Sequence, residues 1–230
     1  MTEHTVRSFS ADLEDLTGDL ARMGGLAEDM VSDAIQAITT RDQVLADTVV
    51  GRDPQIDALQ VEVEKKILRL LALRQPLARD LRQTIAALKI AAELERIGDL
   101  AKNIAKRTKT LDQGAPAAAL KGVSRMGRLV AAQLKRVLDA YAALETDAAS
   151  NVWTRDEEVD EHYQSLFREV LTYMMEDPRT ISACAHLLFV AKNLERIGDH
   201  CTNIAEEIHF LVTGEQLPTE RPKVDALKSR

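Results

Sequence analysis

The sequence predicts an all-α protein of two pseudo-symmetric, antiparallel three-helix bundles, six long helices in all, built by an internal duplication. Three observations carry this. Of the 230 residues only 3% are aromatic, with 10 Gly and 6 Pro. Ala, Leu, Glu, Asp and Arg dominate, so helix formers abound and strand formers are depleted. Long stretches place apolar residues at the three-and-four spacing of a helix face. And the chain repeats itself: Leu94-Glu95-Arg96-Ile97-Gly98-Asp99 returns 100 residues later as Leu194-Glu195-Arg196-Ile197-Gly198-Asp199. Each copy is followed by Asn-Ile-Ala, at Asn103 to Ala105 and Asn203 to Ala205.

Further landmarks recur in the same order. Arg22-Met23-Gly24 returns as Arg125-Met126-Gly127, Arg52-Asp53 with Asp57 as Arg155-Asp156 with Asp160, and Pro76 as Pro178. The offset falls from 103 to 100 along the chain, so the second copy has lost three residues in small steps.

The first helix is expected from about 10 to 40, on the spacing of Leu13, Leu16, Leu20, Met23, Ala27, Met30, Ala34 and Ile35. Asp42 can cap the next, from about 44 to 72, which carries Ile56, Val63, Ile67, Leu70 and Leu71. Pro76 ends it, because the residue before a proline is steered out of the helical region. The third runs from about 78 to 111, and Gly114 and Pro116 mark a break. The second copy repeats the plan at about 117–144, 146–175 and 179–212, closed by Thr213-Gly214. Short connections favour antiparallel neighbours, hence bundles. The expected division is 1–112 for the first bundle, 113–214 for the second and 215–230 for a polar, disordered tail.

A net charge of −7 argues against nucleic-acid binding, which needs a basic footprint. Cys184 and Cys201 form no disulfide framework, which points to a reducing compartment. The longest uncharged apolar-leaning run, 180–191, falls short of the ~20 residues of a membrane span. The first residues, with Glu3, Asp12 and Glu14, lack the apolar region of a signal peptide. A cytoplasmic protein is expected.

What both copies keep is a pair of acids four residues apart. Residues i and i+4 share a helix face, so Glu95 repels Asp99 and Glu195 repels Asp199, unless a cation lies between them. Advancing 100° per residue from Leu81 puts Ile85, Leu88, Ala92, Glu95, Asp99 and Asn103 on one line, read as a packed stripe that turns acidic. Asn203 extends the second copy likewise. Asp53/Asp57 and Asp156/Asp160, near the starts of the second helices, would meet these pairs if neighbouring helices are antiparallel. Four carboxylates would then converge in each bundle, a hard oxygen set suited to magnesium, manganese, iron or zinc.

An ordinary surface is the competing reading. Arg96, Lys102, Lys106 or Arg196 can neutralise these acids, and Asp53 and Asp156 can serve as dipole-complementing helix-start residues. Both readings stay open. Arg96 and Arg196 are also candidates for partner contact from the acidic face. No catalytic residue is assigned: there is no phosphate loop, no G-x-S-x-G and no H-E-x-x-H. The one Glu-x-x-His, Glu206/His209, has Lys106 and Lys109 in the other copy. Gly98, Gly198 and Met23-Gly24-Gly25 are read as points of close packing.

These residues resemble the PhoU family over nearly the whole chain. The resemblance rests on Met23-Gly24-Gly25, Arg74-Gln75-Pro76 leading to Asp80-Leu81-Arg82, Ala92 to Asp99, Tyr173 to Asp177, and Glu195 to Asp199. The second copy departs in having Glu176-Asp177-Pro178 for Arg-Gln-Pro. The resemblance implies two three-helix bundles and a cytoplasmic homodimer at the inner face of the membrane. There it contacts the ATPase subunit of the phosphate ABC transporter and a phosphate-sensing histidine kinase. It implies a non-enzymatic negative regulator of phosphate uptake and of the phosphate-starvation response. It also implies multinuclear iron or zinc held by Asp53/Asp57, Glu95/Asp99, Asp156/Asp160 and Glu195/Asp199. The alternatives are a metal-assisted phosphohydrolase and a metal-storage scaffold.

Overall fold

A computed structural model describes residues 2–111 and 114–218. Its helices are α1 (Thr2–Thr40), α2 (Gln43–Arg74), α3 (Ala78–Thr108), α4 (Ala117–Ala143), α5 (Thr146–Thr154), α6 (Glu157–Glu176) and α7 (Ile181–Thr213), with a 3-10 turn at Pro178–Thr180. There is no strand among the described residues. These are the six expected rods, the fifth being interrupted between α5 and α6. Asp112 and Gln113, at the expected boundary, and residues 219–230 of the expected tail lie outside the described residues.

The punctuation behaves as the sequence suggests. Asp42 Oδ1 accepts from the Leu45 N–H at 3.0 Å and caps α2. Gln75, ahead of Pro76, turns into the left-handed region at φ 47°, ψ 57° and ends the helix. Gly214, at φ 80°, closes α7 with its N–H on the Phe210 carbonyl.

The two copies differ unexpectedly in the second rod. Pro54 sits inside α2, eleven residues past its start, and the helix continues through it. In the second copy no proline is present, yet the rod breaks at Arg155-Asp156. Asp53 is therefore mid-helix, not at a helix start, whereas Asp156 does precede α6.

Helices α1–α3 pack on one another, as do α4–α7, and the halves join through α1 on α4 and α3 on α7. One continuous core runs through both, from Leu20, Met23 and Met30 through Ile90 and Leu94 to Met126 and Val130. The joint is isologous in miniature. A Cβ on Gly24 would stand 2.7 Å from Leu138 Cδ2, and one on Gly127 would stand 2.7 Å from Ile35 Cγ2. These are one pair of positions, read from each copy in turn. Gly25 has open space beside it and marks no close packing.

Across the other seam Lys89 reaches Glu207 at 2.8 Å, and the Arg107 guanidinium lies 4.3 Å from the Phe189 ring centroid. These too are equivalent positions with different side chains. The pairing makes α3 and α7 antiparallel, with the pseudo-twofold level with Gly98 and Gly198.

The Leu81 line of α3 is not its packed stripe. Leu81 is 39% exposed, and Ile85, Leu88 and Ala92 are only partly buried. Its buried residues combine large apolar side chains, Ile90, Leu94, Ile97, Leu100 and Ile104, with the small Thr84, Ala86, Ala87, Ala91, Gly98, Ala101, Ala105 and Thr108, where α1, α2 and α7 close on three sides.

Candidate functional site

In each copy the second and third rods bring four carboxylates to one groove. In the first, Asp53 comes from α2 and is buried. Lys102 on α3 places Nζ 2.7 Å from Asp53 Oδ2 and 2.5 Å from Asp99 Oδ1. Asp53 Oδ1 is buried with no hydrogen-bond partner. Burial, then the Asp53 carboxylate, pushes Asp57 above the ordinary carboxylate range, with Lys102 pulling it back. Burial, then Asp99, pushes Glu95 up, and Asp57 and Asp53 add to it. Asp57 and Glu95 thus both feel Asp53 and Asp99 across the groove. Arg96 lies 3.7 Å from Glu95 and is otherwise exposed. Of the four expected neutralisers, Lys102 does that task; Lys106 and Arg196 make no ion pair among the described residues.

The second groove is built differently. Asp156 is buried, and Gln133 of α4 donates to its Oδ1 at 3.2 Å. Gln133 stands where the first copy has Met30, a polar residue in the apolar stripe Val130, Leu134, Val137. A Cβ on Gly198 would be 3.1 Å from Asp156 Oδ1 and 3.4 Å from Gln133 Oε1. This glycine thus makes room for the carboxylate beside α7, while Gly98 makes room for Ile56, whose Cδ1 and Cγ2 would lie 3.0 Å from an added Cβ. Burial, then Glu195, Asp156 and Asp160, pushes Asp199 up, with Lys192 opposing. Lys192 sits 2.5 Å from Glu195 at the exposed rim. Thr202 replaces Lys102, its hydroxyl donating to the Asp199 carbonyl at 2.7 Å. The first patch has its ammonium between the two helices, on Asp53 and Asp99, whereas that of the second sits at the rim on Glu195.

The donor set suits hard cations in kind. As the side chains stand, no three carboxylate, imidazole or thiolate groups among the described residues are close enough to hold one ion. The two asparagines expected to support the acids lie elsewhere. Asn203 Nδ2 donates to Glu93 Oε2 at 3.1 Å across the α3–α7 seam, and Asn103 lines a cleft in the same seam. Glu93 also meets His200 Nδ1 at 2.6 Å. Burial pushes Glu93 up, but the hydrogen bonds from His200 and Asn203 outweigh it and hold it below its usual range. Cys184 and Cys201 are buried free thiols, and burial pushes both above the usual thiol range. Sequence reasoning missed Glu93, Gln133 and Lys192; only Gln133 left a signal, visible when the two copies are compared.

The family model described as "PhoU domain" matches twice, over residues 20–108 and 123–208, enclosing both acidic grooves. The chain belongs to the PhoU family. A Caulobacter vibrioides protein named phosphate-specific transport system accessory protein PhoU homolog is 60% identical, with 99% of each chain covered. A protein of the same name from Rhizobium meliloti is 48% identical, covering 96% of this chain and 94% of its own. The crystal structure of PhoU from Pseudomonas aeruginosa superposes with a TM-score of 0.87 at 41% identity, over 90% of this chain and all of that one. The phosphate transport system regulatory protein PhoU from Streptococcus pneumoniae gives 0.85 at 30% identity, over 91% and 99%. No helix among the described residues is long and apolar enough to cross a membrane.

Proposed function

We propose that this chain is a cytoplasmic negative regulator of phosphate uptake and of the phosphate-starvation response. It acts by contact and not by turnover, as a homodimer at the inner membrane face. Its contacts are the ATPase subunit of the phosphate ABC transporter and a phosphate-sensing histidine kinase. The observation that carries the reading is 60% identity across the full chain to a protein named for its accessory role in phosphate-specific transport. The exposed Arg96 and Arg196 beside the acidic grooves give such partners a charged surface to read. Regulation follows if the chain binds one state of kinase or transporter better than the other. The test is deletion of the gene with complementation, read by a phosphate-starvation reporter and by phosphate uptake in phosphate-rich medium. The reporter should stay on in the deletion and be silenced by the returned gene; a deletion that still represses overturns the reading.

One observation favours a cation in the same grooves: the orphaned, buried Asp53 Oδ1, beside an Asp57 and a Glu95 that burial and neighbouring carboxylates push up. Asp53, Asp57, Glu95 and Asp99 would hold it in the first groove, and Asp156, Asp160, Glu195 and Asp199 in the second. A bound iron, zinc, magnesium or manganese ion would add positive charge to that of Lys102 in the first groove and of Lys192 in the second. Mass spectrometry of untagged protein prepared without chelator tests this. Metal that disappears with Glu195→Gln/Asp199→Asn supports the site, and metal-free native protein overturns it.

A further inference from the structure

The seam between α3 and α7 opens into a cleft at each end, and the pseudo-twofold relates the two. At one end stand Lys89, Glu206 and Glu207, with Lys89 bonded to Glu207 and Trp153 Nε1–H donating to Glu206 at 3.1 Å. At the other, a cleft of about 430 Å³ is lined by Asn103, Lys106, Arg107, Thr110, Phe189 and Asn193. The duplication has therefore put Lys106-Arg107 where its twin has Glu206-Glu207. In a chain of net charge −7, this cleft has two cations, two carboxamides and a hydroxyl in its lining, and no carboxylate.

Arg107 is already placed. Its Nη1 donates to His186 Nδ1 at 2.9 Å, and its guanidinium lies over the half-exposed Phe189 ring. Neither contact neutralises it, because a ring face and a neutral imidazole nitrogen carry no formal charge. Asn103, Lys106 and Asn193 have no side-chain hydrogen bond or ion pair among the described residues. Asp99, one turn before Asn103, has its charge held by Lys102. Arg196, three residues beyond Asn193 on α7, adds positive potential at the margin.

We propose that this cleft binds a small tetrahedral oxyanion, inorganic phosphate. Arg107 presents a planar fork to two of its oxygens, Lys106 a point charge, and Asn103 and Asn193 an N–H donor from each helix. The ligand would bridge α3 and α7, and so tie the two halves together at the seam. The site is separate from the acidic grooves. Binding is measured on the purified chain, so its failure leaves the regulatory reading untouched, and a deletion strain that still represses leaves the binding result standing.

The experiment is isothermal titration of the full chain with potassium phosphate at constant ionic strength. Potassium chloride and glycerol 3-phosphate are run in parallel. Saturable binding of one phosphate per chain is expected, weakened about ten- to a hundred-fold by Arg107→Gln, as for loss of a charge-assisted contact. Lys106→Gln, at an exposed position that tolerates the change, should weaken it several-fold. Lys89→Gln in the twin cleft should leave it unchanged. Heats that chloride reproduces, or phosphate binding that survives both Arg107→Gln and Lys106→Gln, overturn the proposal. Tighter binding of glycerol 3-phosphate than of phosphate overturns the assignment to the free ion.

Discussion

Replacing Lys102 by methionine keeps the length of the side chain and removes the only ammonium from the first acidic groove. The exposures of the partners set the size of the effect. The Lys102 and Asp53 side chains are 19% and 12% exposed, close to the interior limit, while Asp99 is 35% exposed. Removing one member of a fully buried pair costs about 3–5 kcal/mol, whereas an exposed pair is worth under about 1 kcal/mol. This pair lies between the limits and nearer the first, so the expected loss is about 2–3 kcal/mol. At roughly 2–4 °C per kcal/mol for a chain of this size, the thermal midpoint falls by about 4–12 °C. The pairing raises the Lys102 pKa above its ordinary 10.5, so the stabilisation is present in full below that pH and is lost only as pH rises through the folded value. The deficit should therefore be the same at pH 6.5 and pH 8.5. Urea unfolding in chelator, with exposed Lys106→Met as the control, measures it. A Lys102→Met chain within about 0.5 kcal/mol of the parent would refute the claim that this lysine is the counter-charge of a buried carboxylate.

Three further outcomes follow from the same geometry. Glu95 and Asp199 titrate above their ordinary values, so the folded state binds protons more readily than the unfolded chain, and their ionised forms oppose folding above those values. Glu95→Gln and Asp199→Asn should raise the thermal midpoint at pH 7 in chelator, with the gain gone by about pH 4; calorimetry at the two pH values checks this. Gly127→Ala forces a methyl against Ile35 Cγ2, Cγ1 and Cδ1, about 1–3 kcal/mol of overpacking against about 1 kcal/mol of gained helix propensity. Adding Ile35→Ala should leave less than the summed loss in a denaturant double-mutant cycle. Gly198→Ala should weaken manganese binding at the second groove by displacing Asp156, while Gly98→Ala, which meets only Ile56 and Met30, should not; titration calorimetry on the two variants decides.

The duplication made most of the architecture legible, because a proline stop and the pairs of acids recur in the same order at offsets of 103 to 100. The face of α3 was misread for a physical reason. A helix enclosed by three others buries small residues such as Thr84, Ala87, Ala91 and Gly98 together with Ile90, Leu94 and Ile97, so the large apolar Leu81 and Leu88 do not by themselves mark its buried face. The break before α6 had no sequence mark at all: Trp153-Thr154-Arg155-Asp156 contains neither glycine nor proline. It coincides with a buried Asp156 beside Gln133 and Gly198. Conversely, Pro54 reads as a breaker but lies in a helix held on both sides by α1 and α3. Lys102 was visible among several basic residues, but only geometry separates it from Lys106, one turn further on. The difference between the grooves, with Lys102 in one and Thr202 in the other, could be seen in the sequence, though its meaning could not.

A body with a pseudo-twofold axis faces a problem of address. A partner that reads shape alone has two docking poses of nearly equal energy, half a turn apart, and no means of telling head from tail. The departures from symmetry supply the label. Lys106-Arg107 at one end of the seam faces Glu206-Glu207 at the other, so a charged partner seated the wrong way round meets like charge, a penalty of several kcal/mol. Since 1.4 kcal/mol is already a factor of ten, two substituted dipeptides are enough to make a near-symmetric surface bind in one orientation. Duplication made the scaffold, and divergence at the seam gave it a direction.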